Sequence, residues 1–218
     1  MTFKQSYHEE LNILDKVRIQ PLKRIIKRDN LEFKYLITIS YPYQLFNYNK
    51  VLSDNRVLRR KIRTFFKHDI RMWFFVEKHC GDGAHRNGYH RHMVMEDVPL
   101  TSKSAQNWML QHHPELTFAL KMGTPITAED KIPLIKKVFR LCDTVPHGKD
   151  TLDIEEIKMN PDRVVAYCSK QFERFHPAHE VLDCSSSDVG ESDIKFLLEH
   201  KQDGNSWTRR RSNSVLTR

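Results

Sequence analysis

The sequence is compatible with an α+β fold, in which helices pack against a sheet whose strands run antiparallel. Residues 31–41 are rich in β-branched and aromatic side chains, which favour a strand. Two further strand-like segments, 72–79 and 88–96, flank a short turn that contains two glycines, so they predict a hairpin. Segments with helical spacing of apolar residues lie before, between and after these strands.

The N-terminal third begins with a predicted short helix over residues 5–18, where apolar side chains recur at helical intervals. Residues 19–30 are basic, and we expect an irregular segment there because Pro21 interrupts the pattern. The strand over 31–41 is expected to be buried and to stop at Pro42.

An amphipathic helix is predicted over residues 54–68, with Ser53 as its N-cap. Its apolar side should pack on the sheet, and we expect its basic side to face solvent. That basic side comprises Arg56, Arg59, Arg60, Arg63 and Lys67.

Helices and short strands are predicted after the hairpin. Residues 102–113 read as a helix that begins near a pair of serines, and residues 115–122 as a short strand. A helix over 127–143 has Thr127 as its N-cap. Residues 151–158 are ambiguous and could form a strand.

A well-marked helix is predicted over residues 160–175, because Asn160 can cap it and Pro161 suits the first helical position. One more helix could lie over 191–201. From Gln202 onward the chain is rich in Ser, Asn and Arg, and we expect disorder there.

Composition narrows the classes of function. The chain of 218 residues has 36 Lys+Arg and 28 Asp+Glu, a net charge of +8, and all of this excess lies in residues 1–70. A localised basic surface suits a polyanion such as nucleic acid. Four scattered cysteines without a C-x-x-C pair argue against disulfide frameworks and zinc fingers. We find neither a phosphate-binding P-loop nor a membrane-spanning segment, and expect a soluble intracellular protein.

The predicted hairpin carries a candidate metal site. His90 and His92 are two residues apart on one strand, so their side chains project from the same face. Glu77 on the preceding strand can lie across from them. Two imidazoles and a carboxylate form a facial set that leaves coordination positions open on a divalent metal. The alternative is a pair of surface histidines without a metal.

The helix predicted over residues 160–175 carries a candidate nucleophile. Tyr167 lies on a polar stripe of that helix together with Arg163, Lys170 and Arg174, away from the apolar side. Nearby cations favour the phenolate and could bind a phosphate that it attacks. The alternative is an exposed tyrosine that covers the aliphatic parts of its neighbours.

Taken together, these features resemble the HUH endonucleases, and most of all the single-tyrosine replication initiators of rolling-circle plasmids and small single-stranded DNA viruses. YLITISY (35–41) resembles the first strand motif, YHRHMVM (89–95) the histidine motif and VVAYCSKQ (164–171) the nucleophile motif. Two departures are Arg91, where relatives have a hydrophobic residue, and a longer separation between Glu77 and His90.

The resemblance implies a central antiparallel sheet of about four or five strands with packed helices. The strands and helices predicted above are compatible with this fold, but they do not distinguish it from other α+β folds without the resemblance. It implies that Glu77, His90 and His92 hold Mg²⁺ or Mn²⁺. Tyr167 would attack the scissile phosphate of single-stranded DNA at a replication origin, giving a 5′-phosphotyrosine bond, with Lys170 stabilising charge at that phosphate.

Origin DNA is the implied partner. The candidate contacts to it are four basic residues before the first strand, Lys23, Arg24, Lys27 and Arg28, and two arginines of the helical stripe, Arg163 and Arg174. A host helicase and DNA polymerase would act with the protein in the cytoplasm, or in the nucleus for a eukaryotic virus. The expected division is a basic N-terminal extension over 1–30, the nicking and joining domain over 31–180, and a C-terminal helix and basic tail over 181–218.

Two alternative functions remain open at this point. A single-tyrosine transposase or relaxase would use related chemistry, although relaxases place their tyrosine before the histidines. A non-catalytic origin-binding protein would have no need of Tyr167.

Overall fold

The structure is a computed structural model. It describes residues 20–41, 47–78, 88–148, 150–158, 161–168, 182–183, 186–190 and 192–193. The predicted helix over 5–18, the tail from Gln202 and most of the predicted helix over 191–201 lie outside these residues.

The predicted α+β fold is confirmed by a four-stranded antiparallel sheet packed against helices. The strands are β1 (Phe33–Ile39), β2 (Met72–Lys78), β3 (Tyr89–Glu96) and β4 (Leu152–Glu156). The helices are α1 (Gln20–Arg28), α2 (Tyr48–Phe66), α3 (Lys103–His112), α4 (Thr117–Met122), α5 (Ala128–Arg140) and α6 (Pro161–Cys168), with a 3₁₀ turn at Pro114–Leu116.

The sheet has the order β2-β3-β1-β4, so the predicted hairpin forms one half of it. Glu77 on β2 pairs with His90 on β3, and His92 pairs with Thr38 on β1. On the far side of β1, Thr38 pairs with Asp153 on β4. The ambiguous segment over 151–158 is therefore the fourth strand.

Each face of the sheet has its own hydrophobic core. On one face, α2, α3 and α5 cover side chains such as Ile37, Phe74 and Met93. On the other face, α1 and α6 cover Trp73 and Phe75, with Leu22 and Val165 among the helical contacts. Because side chains alternate along a strand, this second face is also the face of Glu77, His90 and His92. The strand predicted as buried, β1, is only half-buried on that face.

The segment over residues 19–30 is helical, so the expectation of an irregular segment is wrong. Pro21 lies in the first turn of α1, where a missing N–H costs no helical hydrogen bond. Leu22, Ile25 and Ile26 follow helical spacing and are buried against the sheet. Burial of this apolar side stabilises the helix despite its basic composition.

The helix predicted over 54–68 begins earlier, at Tyr48, and Ser53 does not cap it. The side chain of Asn47 accepts a hydrogen bond from the Lys50 amide and serves as the N-cap. The basic side of α2 is also only partly solvated. Arg59 and Arg63 bind Asp188, whereas Arg56, Arg60 and Lys67 are exposed.

The prediction of a strand over 115–122 is wrong, because this segment forms the 3₁₀ turn and α4. Its apolar residues alternate in a way that suggests a strand. However, Leu116 and Leu120, which are four residues apart, pack on the core, while Phe118 is 72% exposed. Gly123 ends the helix with φ 67°, a left-handed conformation that favours glycine.

The remaining predicted helices agree with the structure. Ser102 caps α3 by accepting from the Ala105 amide, and Thr127 caps α5 by accepting from the Asp130 amide. Of the helix predicted over 160–175, α6 is described as far as Cys168. No helix in the described part of the chain is long and apolar enough to cross a membrane.

The edge of β2 is covered by residues 182–183 and 186–188. Asp188 is the centre of this contact: its carboxylate accepts from Arg59, from Arg63 at 2.7 Å and from the Met72 amide at 2.8 Å. Its backbone carbonyl accepts from the Trp73 indole at 3.0 Å. Asp188 thus joins α2 to β2 and protects an otherwise open sheet edge.

Replacing Asp188 by alanine is expected to lower the free energy of unfolding by about 2 kcal/mol, because two guanidinium groups and an amide each lose one acceptor. Asp69 offers a matched control, since it also contacts Arg63, at 2.8 Å, but its side chain is 81% exposed. Asp69→Ala should cost less than about 1 kcal/mol. Equal losses in urea unfolding would contradict the role given to Asp188.

Candidate metal centre

Glu77, His90 and His92 converge on one point of the sheet. His90 Nε2 lies 3.1 Å from Glu77 Oε2, His92 Nε2 lies 2.9 Å from the same oxygen, and the two Nε2 atoms are 3.1 Å apart. The three residues are only 4–8% exposed. The predicted grouping of these side chains is therefore confirmed.

The separations among these three atoms fit a divalent metal ion. Two imidazole nitrogens and a carboxylate oxygen this close repel one another unless protons or a cation lie between them. Ligand atoms on one face of an octahedron, with bonds of about 2.1 Å, are separated by about 3.0 Å. The observed spacing matches that value, and two histidines with one carboxylate form a known facial set.

Tyr167 lies beside the histidine pair. Its ring centroid is 5.6 Å from that of His92, with an interplanar angle of 68°, an edge-to-face contact. Val165 and Cys168 anchor α6 in the core, whereas Tyr167 is 37% exposed. Tyr167 thus lies on the side of α6 that faces away from Val165 and Cys168.

A groove runs across the sheet between Tyr167 and β4. It is lined by Leu36, Thr38, Ser40, His90, His92, Asp153, Glu155 and Tyr167, a set that we call the site groove. Burial, together with the neighbouring Asp153, raises the pKa of Glu155 above its usual value. The groove therefore joins two of the candidate metal ligands, His90 and His92, to the candidate nucleophile and two acidic side chains.

Sequence reasoning missed the groove residues on β1 and β4. Thr38 and Ser40 are polar and two residues apart in a predicted strand, 31–41, whose odd-numbered positions are all aliphatic or aromatic, which is a signal for a face that meets a site. Asp153 and Glu155 show the same alternation in β4. Local sequence does not show which strands pair with β1 and β4, so these polar residues could not be assigned to the same site as the histidines.

Arg91, between the two histidines, points to the opposite face of the sheet and is buried. Its guanidinium donates to the Thr144 carbonyl at 2.7 Å and to Asn55 Oδ1 at 3.3 Å, and lies 5.2 Å from the Tyr41 ring centroid. Arg91 therefore anchors β3 on the face of the sheet that α2 covers, away from the candidate metal ligands.

Of the other predicted site residues, four lie on α1 and the side chains of the rest are not described by the structure. Lys23, Arg24, Lys27 and Arg28 lie on α1, which packs on the same face of the sheet as the metal centre. Arg28 is already bound to Asp29 and Asp193, which raises the pKa of its guanidinium. Lys170 and Arg174 lie outside the described residues, as does the side chain of Arg163.

The chain was compared with known families, curated proteins and solved structures. No family model, curated protein or solved structure matches it.

Proposed function

We propose that this protein nicks and rejoins single-stranded DNA at a replication origin and so initiates rolling-circle replication. Glu77, His90 and His92 would hold Mg²⁺ or Mn²⁺, and Tyr167 would be the nucleophile. The observation that carries the proposal is the contact between the Tyr167 ring and His92, 5.6 Å between centroids, at the mouth of a buried metal-ligand set. An inert metal-binding module has no use for an exposed tyrosine there.

The proposed step exchanges one phosphate ester for another. Tyr167 Oη forms a bond to the phosphorus of the scissile phosphate while the bond from phosphorus to the 3′ oxygen breaks. The phenol loses its proton, and the departing oxygen gains one to become a free 3′-hydroxyl. Attack by a 3′-hydroxyl on the phosphotyrosine reverses the step and rejoins the strand. A divalent ion, when bound, would polarise the phosphate and stabilise its negative charge.

Other cations have supporting roles in this proposal. Lys170, one helical turn after the nucleophile, would stabilise charge at the phosphate. Arg163 and Arg174 would contact the DNA backbone. A host helicase and polymerase would separate and extend the strands, because the 3′-hydroxyl only provides a primer.

Helix α1 is the proposed track for the DNA backbone. It lies on the metal side of the sheet and exposes Arg24 and Lys27, whereas α2, with exposed Arg56 and Arg60, packs on the opposite face. Position relative to the metal centre therefore favours α1, with Lys23 and Arg28 beside it, over the equally basic α2.

Replacing both Arg24 and Lys27 by glutamine is expected to weaken binding of a single-stranded oligonucleotide. It should also lower the slope of log affinity against log salt concentration by about 1.4, since each phosphate contact contributes about 0.7. The control pair Arg56→Gln and Arg60→Gln should leave the slope unchanged. Fluorescence anisotropy over a salt series measures both, and equal slopes for the two pairs would contradict the track on α1.

The proposed function has a direct test. The full chain is incubated with a pool of random single-stranded oligonucleotides and Mn²⁺, and the products are separated on a denaturing gel. We expect a protein–DNA adduct that survives denaturation and is absent when EDTA replaces Mn²⁺. Metal-independent DNA binding without any adduct would instead support the alternative of a non-catalytic origin-binding protein.

A further inference from the structure

We propose that Thr38 is a positioning residue for the metal centre, whose hydroxyl orients His92 so that Nε2 faces the other two ligands. Thr38 Oγ1 lies 3.0 Å from His92 Nδ1, and His92 Nε2 lies 2.9 Å from Glu77 Oε2. The two ring nitrogens of His92 therefore have different partners. The inference rests on the metal centre of the proposed function and not on its DNA chemistry.

The register of the sheet creates this contact. Thr38 on β1 is the direct partner of His92 on β3, and both side chains line the site groove. Both strands are internal in the order β2-β3-β1-β4, so each is held by a ladder on either side. Threonine is also β-branched, and its side-chain rotamers are therefore restricted. The hydroxyl is held rigidly against the ring.

The hydrogen bond to Thr38 determines which nitrogen of the His92 imidazole can bind a metal. When Nε2 binds a metal through its lone pair, the proton of the neutral ring resides on Nδ1. Nδ1 then donates to Thr38 Oγ1, which fixes the tautomer and makes the ligand nitrogen more basic. Valine has nearly the shape of threonine but cannot accept this hydrogen bond, whereas serine can. The two substitutions therefore separate hydrogen bonding from packing.

The test measures Mn²⁺ affinity by calorimetry on the full chain without DNA. Thr38→Val is expected to bind Mn²⁺ about 10- to 100-fold more weakly than the natural chain, the usual effect of losing a partner of a metal ligand. Thr38→Ser should bind nearly as tightly as the natural chain. Thr64→Val, on the exposed surface of α2, controls for a threonine-to-valine change as such.

A second measurement reads the tautomer. In protein loaded with Zn²⁺, the ¹⁵N spectrum should show the proton of His92 on Nδ1, slow to exchange in the natural chain and in Thr38→Ser. It should exchange fast in Thr38→Val. If the valine variant fails to fold, the position of the His92 proton in the metal-loaded natural chain still tests the proposal.

Three results would overturn the proposal. They are an unchanged Mn²⁺ affinity in Thr38→Val, equal losses in Thr38→Val and Thr38→Ser, and a metal-loaded His92 with its proton on Nε2. Failure to form any DNA adduct would overturn the proposed function and leave this test intact, because no DNA is present in it.

Discussion

Replacing Tyr167 by phenylalanine is expected to lower the yield of covalent protein–DNA adduct by at least about 1,000-fold, the scale of loss when a nucleophile is removed. Phenylalanine keeps the ring that packs against His92 but lacks the oxygen that attacks phosphorus. Folding and Mn²⁺ affinity should therefore stay close to those of the natural chain. Quantitative denaturing gels, calorimetry and thermal unfolding measure the three properties.

Tyr48 provides a matched control for this change. Its ring packs on Tyr89, 5.7 Å between centroids, in a small core away from Tyr167. Tyr48→Phe should form the adduct as the natural chain does. If Tyr167→Phe formed the adduct equally well, another nucleophile would have to be sought.

Replacing Glu77 by glutamine is expected to lower Mn²⁺ affinity by at least about 100-fold, a greater loss than removing a partner of a ligand causes. The amide keeps the shape of the carboxylate but not its charge, and His90 and His92 remain. The metal should also stabilise the fold of this variant much less. In the natural chain, Mn²⁺ at 100 times its dissociation constant adds about 2.7 kcal/mol to the free energy of unfolding.

At the same concentration of Mn²⁺, which is at or below the dissociation constant expected for Glu77→Gln, the gain in the free energy of unfolding should be at most about 0.4 kcal/mol. Glu32→Gln removes an exposed carboxylate elsewhere and should respond to Mn²⁺ as the natural chain does. A normal Mn²⁺ response in Glu77→Gln would place any metal outside the triad and so contradict the assignment of the centre.

The grouping of the three candidate metal ligands could be predicted because it depends on local rules. His90 and His92 share a face through strand alternation, and Glu77 reaches them through a hairpin, so 13 residues separate it from its partner His90. Tyr167 could be placed on a polar helical stripe from its spacing. Its position over His92 could not, because that depends on packing between α6 and the sheet.

The contacts within the site groove could not be predicted from local sequence. Thr38 meets His92 and Asp153 through ladders between strands that are distant in sequence, and no spacing within the chain encodes that pairing. The contact of Thr38 with a ligand is therefore a property of topology. Thr38 is recognisable from sequence only as a polar residue on the alternate face of a strand.

The incorrect helix and strand predictions also have tertiary causes. Pro21 suggests a break, yet it begins a helix whose apolar side is buried against the sheet. Leu116 and Leu120 fit a strand by alternation and a helix by their four-residue spacing, and packing on the core selects the helix.

We propose that Glu77, His90 and His92 hold one divalent ion beside Tyr167. Anomalous diffraction from crystals grown with Mn²⁺ tests it most directly. We expect one strong peak about 2.1 Å from Glu77 Oε2 and from the Nε2 atoms of His90 and His92. If crystals grown in saturating Mn²⁺ showed no anomalous peak among these three atoms, the assignment of the metal centre would be wrong.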